Sequence, residues 1–79
     1  MNKKIYLTFP PEQISEPVIY NIGHKFEVVT NIRTASISPQ VGVVGLELSG
    51  EPDQIEAAIA YIESLGILVE PIELDVIEG

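Results

Sequence analysis

The chain has 79 residues, no cysteine, 46% hydrophobic and 20% charged residues, and a net charge of −8 from four Lys/Arg against twelve Asp/Glu. That length suits one small domain with a modest core, and without cysteine no disulfide, thiolate metal site or iron–sulfur cluster can reinforce it. The acidic balance excludes the basic footprint of a nucleic-acid binder and the attraction that holds a protein to an anionic membrane.

Residues 3–9, "KKIYLTF", alternate: Ile5, Leu7 and Phe9 share one face, Lys4, Tyr6 and Thr8 the other. Period two predicts a strand, and Pro10-Pro11 stops it because proline has no amide to donate to a ladder. A helix is expected from Glu16 to Lys25, with Ser15 as N-cap, Pro17 in the first turn, and Val18, Ile19, Ile22 and Phe26 at helical spacing. Gly23 leaves open an earlier stop, and Lys25 and His24 suit the helix's negative end.

Residues 26–38, "FEVVTNIRTASIS", read as a strand with Val28, Thr30, Ile32 and Thr34 on one face and Val29, Asn31, Arg33, Ala35 and Ile37 on the other. Ser38-Pro39-Gln40 is a turn that Pro39 starts, and residues 41–49, "VGVVGLELS", return with an apolar face of Val44, Leu46 and Leu48. Asp53 or Ser49 caps a second helix in which Ile55, Ala58, Ile59, Ile62 and Leu65 recur every three or four residues, and Gly66 ends it. Residues 67–76 form the last strand, whose apolar phase changes across Glu70-Pro71, so that a bulge or an end is expected near Pro71 with an alternating tail beyond. The order β-α-β-β-α-β is an α+β, ferredoxin-like layout: a four-stranded antiparallel sheet with two helices on one face and the other face open.

The run from Asn31-Ile32-Arg33 through Gly42 and "LELSG" to "EPDQIEAAIAYIESLGILVEPI", together with "EPVIYNIGHKF" upstream, resembles the NIL domain family, named for an Asn-Ile-Leu motif. The resemblance covers nearly all of residues 1–79 and implies an ACT-like domain of the kind found at the C-terminus of the ATPase subunit of methionine ABC importers. There such domains dimerise and bind methionine to inhibit transport; others precede ferredoxin-type iron–sulfur domains, and some stand alone, as this chain is expected to. The resemblance gives Asn31 a ligand-binding role through the motif. Arg33 departs from the motif's Leu.

Two residues apart on a strand, Asn31 and Arg33 point the same way, and together they could hold an amino acid: Arg offers a fork to a carboxylate and Asn an acceptor to an amine. The bland alternative is two polar residues solvating an exposed face. Gly42, across the hairpin, is the third ligand-pocket candidate, ahead of Gly45; a strand glycine marks either a local twist or a close approach. The acidic positions Glu70, Glu73, Asp75 and Glu78 lack calcium-loop spacing and read as a solvated face, and His24 has no second ligand for a metal. No nucleophile is paired with a base, so the expectation is a non-enzymatic domain without metal or cofactor. A marginal core, an unpaired edge strand and an open face predict a homodimer. No segment has the apolar length of a signal peptide or membrane span, which makes a cytoplasmic address the default. The leading reading is a stand-alone regulatory domain that binds methionine, another amino acid or a sulfur metabolite at a dimer interface. The alternative is a non-catalytic adaptor that docks a protein partner and takes no ligand.

Overall fold

The computed structural model describes residues 1–72 of the chain. Its elements run β1 (Asn2–Phe9), α1 (Pro11–Ile14), α2 (Val18–Lys25), β2 (Val28–Ile37), β3 (Gly42–Gly50), α3 (Pro52–Ser64) and β4 (Leu68–Pro71). The four strands form one antiparallel sheet in the order β2-β3-β1-β4, so the expected ferredoxin-like architecture is present with β2 and β4 at the edges.

The buried core is one cluster. Ile5, Leu7 and Phe9 of β1 and Val44, Leu46 and Leu48 of β3 meet Val18 and Ile22 of α2 and Ile55, Ala58 and Ile62 of α3, with Val28 and Ile67 at its margins. Alternation on the central strands and 3.6-residue spacing on the helices therefore converge on the same side of the sheet. Phe26 and Tyr61 close one margin with their rings 5.8 Å apart, and the Lys25 ammonium lies 5.4 Å from the Tyr61 ring centre.

The helix boundaries differ from expectation at both starts. Pro10-Pro11 not only ends β1 but opens the one-turn helix α1, because Pro11 takes an early helical position where no amide is needed; Gln13 N donates to Pro10 O at 2.9 Å. Ser15 then closes α1 rather than capping α2, which begins after Pro17 and runs through Gly23 to Lys25. At α3, Glu51 is the N-cap and Pro52 follows it, with Asp53 in the first turn and no side-chain cap bond. Gly66 ends the helix as expected, at φ 83°, a left-handed conformation that favours glycine.

Between β2 and β3 the Ser38 amide donates to Val41 O at 2.8 Å, and the Ser38 hydroxyl oxygen accepts from the Val41 amide at 3.2 Å. This turn sets Ile37 opposite Gly42, Ala35 opposite Val44 and Thr34 opposite Gly45; then the register slips by one, and Ile32 faces Leu46 and Asn31 faces Glu47. Arg33 is the extra residue, a β-bulge. The unbroken alternation read from the sequence through Thr34–Ile37 is thus corrected: Thr34 shares the open face with Gly45, and Ala35 and Ile37 turn to the helix side.

β4 ends at Pro71, one of the two outcomes expected there, and its ladder to β1 is regular up to that point. Pro71 pairs opposite Ile5 on this edge strand, where a missing amide is tolerated, and the Ile72 amide continues the pairing to Lys4 O at 3.0 Å. The expected alternating tail, residues 73–79, lies outside the described residues.

Leu46 is fully buried at the centre of β3, whereas Val29 is 69% exposed on the edge strand. Leu46→Ala is expected to lower unfolding free energy by about 2–5 kcal/mol and Val29→Thr to change it by under about 0.5 kcal/mol, both read by urea denaturation.

Candidate functional site

The open face is built from the positions that alternate with the core. β1 contributes Lys4 and Tyr6, β3 contributes Gly45 and Glu47, and β2 contributes Asn31, opposite Glu47, and Thr34, opposite Gly45. The bulge brings Arg33 to this face as well. Its guanidinium Nη1 donates to Glu47 Oε1 at 2.9 Å, with the Arg33 side chain 50% exposed. A β-bulge on an outer strand re-aims side chains, and here it sets Arg33 and Thr34, adjacent in sequence, around one hollow.

That hollow, of about 140 Å³, is lined by Lys4, Tyr6, Arg33, Thr34, Gly45 and Ile72. Gly45 is its floor. A Cβ there would lie 2.6 Å from Thr34 Oγ1 and 3.2 Å from Tyr6 Cε1, so a side chain at this position would have to displace the Thr34 hydroxyl and crowd the Tyr6 ring.

Asn31 and Arg33 therefore lie on the same face, as expected, but Gly42 is not with them. Gly42 shares the phase of Val44, Leu46 and Leu48 and is buried on the helix side, where a Cβ would meet Phe9, Ile14 and Ile37. It lines a different, apolar cavity of about 210 Å³ under α1 and the start of α2, with Phe9, Ile14, Val18, Ile37 and Val44. Gly45 is the hairpin glycine of the Arg33 site. The two glycines are three apart, so strand alternation alone puts them on opposite faces, and the apolar phase of Val44, Leu46 and Leu48 says which is which. Glu47, Tyr6 and Lys4 join the site through the same alternation; the bulge gives no sequence signal of its own.

Among the described residues no group of three His, Asp or Glu side chains is placed to hold a metal ion. His24 lies in the last turn of α2 and stacks on Tyr20, with ring centres 5.2 Å apart. No described helix is long and apolar enough to cross a membrane.

Residues 3–71 match the NIL domain family model, and the chain belongs to that family. It is 34% identical over 70 residues to the L-aspartate semialdehyde sulfurtransferase iron-sulfur subunit of Methanocaldococcus jannaschii, a match that covers 89% of this chain and 53% of that protein. It is 34% identical over 79 residues to a methionine import ATP-binding protein of Halalkalibacterium halodurans, covering 95% of this chain and 22% of that protein. The chain thus spans about half the length of the first relative and about a fifth of the second. Among solved structures, the C-terminal domain of an ABC transporter/ATP-binding protein from Enterococcus faecalis superposes with a TM-score of 0.80 at 29% identity, over 90% of this chain and 83% of that one.

The two glycines make opposite predictions. Gly45→Ala is expected to cost about 1 kcal/mol or more through the Thr34 and Tyr6 contacts. Gly42→Ala, whose Cβ would sit at ordinary contact distances of 3.6–3.8 Å, is expected to be neutral or to add about 0.5–1 kcal/mol. Thermal and urea unfolding of the two variants reads both.

Proposed function

We propose that this domain is a regulatory module that binds a small ligand, an amino acid or sulfur metabolite such as methionine, and does no chemistry on it. The observation that carries this reading is the family match over residues 3–71 with an Asn at the motif position, Asn31, displayed on the open face beside Arg33. The likeness to methionine import ATP-binding proteins favours methionine or a near relative of it. The likeness to the sulfurtransferase subunit keeps other sulfur metabolites in view. Regulation follows if the ligand prefers one of two states of an assembly, since only a difference in affinity moves an equilibrium.

The assembly we infer is a homodimer. β2 is an edge strand, and Val29, Ile32 and Ile37 on it are 69%, 53% and 61% exposed, an unusual apolar load for a solvated edge. The helices bury Val28 but leave the strand beyond it uncovered, and a second copy would cover it. The same apolar edge supports a second reading, an adaptor that docks another protein without a ligand.

A thermal-shift screen over amino acids and sulfur metabolites separates the two. A ligand of the folded state raises the melting temperature, and Asn31→Ala combined with Arg33→Leu should abolish the rise while leaving the unliganded melting temperature close to that of the parent. No shift with any compound at millimolar concentration would favour the adaptor. Light scattering at micromolar concentration should give twice the chain mass, and a monomer there would remove the dimer.

A further inference from the structure

We propose that the hollow over Gly45 is an anion subsite for a short dicarboxylate, such as an acidic amino acid, and that Glu47 occupies Arg33 as an internal competitor until that ligand arrives. This rests on the ligand-binding reading above and narrows its chemical class.

The chain carries four Lys/Arg against twelve Asp/Glu. Its overall field repels anions, so any anion site must be made by local cations. Two of those four cations, Lys4 and Arg33, line this one hollow. Glu47 and Glu70 stand on the same face, opposite Asn31 and Tyr6 in the ladder, but neither lines the hollow.

Arg33 is positioned rather than consumed by its ion pair. A guanidinium presents five N–H donors in a rigid fork, and the contact to Glu47 is made through Nη1 to a single carboxylate oxygen. The remaining donors suit a bidentate carboxylate, which Lys could not match in geometry. The bulge adds the Thr34 hydroxyl from the next residue, and Tyr6 and Ile72 supply an apolar wall for the carbon chain between two charged ends. Gly45, with no side chain, leaves the space into which the Thr34 hydroxyl and the Tyr6 ring settle at the base of the hollow. A volume of about 140 Å³ suits a short molecule rather than a peptide or nucleotide.

If Glu47 competes with the ligand for Arg33, removing its charge must strengthen binding, which a merely structural ion pair would not do. The test is calorimetric titration of the full chain with L-aspartate, L-glutamate and succinate, with L-methionine as the neutral comparison. A dicarboxylate should bind about tenfold or more tightly than L-methionine. Arg33→Gln should weaken it by a similar factor, Glu47→Gln should tighten it, and added salt should weaken it. Both positions are outside the core, so neither variant threatens the fold, and thermal unfolding confirms that. L-methionine binding more tightly than every dicarboxylate, with Arg33→Gln without effect, would overturn the anion subsite and leave the ligand-binding reading standing. No binding of any of the four probes would overturn the anion subsite, and the broader reading would fall only if the wider metabolite screen were also blank.

Discussion

The outer strand β2 holds one residue more than its partner β3 between Ile32 and Thr34, and the character of both sheet faces depends on that bulge. The turn at Ser38–Val41 fixes the register from one end, with Ile37 opposite Gly42. Continued without interruption, that register would set Arg33 against Leu46 and Asn31 against Leu48, both buried residues on the helix side. The extra residue shifts the pairing by one. Ile32 and Thr30 then meet Leu46 and Leu48, Asn31 meets Glu47, and the polar side chains go to the open face. A one-residue slip exchanges the two faces of a strand, so burying Asn31 and Arg33 is what the bulge avoids.

The same device shapes the edge. A regular outer strand with exposed Val29, Ile32 and Ile37 would be a template for unlimited pairing. A bulge in its middle, carrying an arginine, twists the ladder and breaks the run of evenly spaced backbone groups. The helix side needs no such device: among the described residues thirteen apolar side chains are buried there, from β1, α2, β2, β3, α3 and the residue before β4, and the central strands β1 and β3 are held on both edges.

Most of the fold was readable from spacing. The steps of α3, Ile55-Ala58-Ile62, and the alternation of Ile5-Leu7-Phe9 and Val44-Leu46-Leu48 leave little freedom, and all of those residues are in the core. α1 escaped because Pro10-Pro11 reads first as a strand stop, and a single turn has too few residues to show a period. The face of Thr34–Ile37 escaped for a different reason. Thr34, Ala35 and Ser36 are small and tolerate either side, so their types do not report the shift that Arg33 introduces. Of the candidate site, the shared face of Asn31 and Arg33 was legible from their spacing. Gly42 lies on the helix side, apart from Asn31 and Arg33, as its shared phase with Val44 already implied, and the places of Gly45, Tyr6 and Glu47 on the open face follow only once the register is known.

The central claim is that the bulged open face, and not the apolar cavity beside Gly42, is where this domain takes its ligand. Amide chemical shifts followed by NMR during titration with whichever probe, L-aspartate or L-methionine, binds more tightly test it directly. The account predicts that the largest changes fall on Asn31, Arg33, Thr34 and Gly45. Changes centred on Val18, Ile37 and Gly42, with the Gly45 amide unmoved, would contradict it.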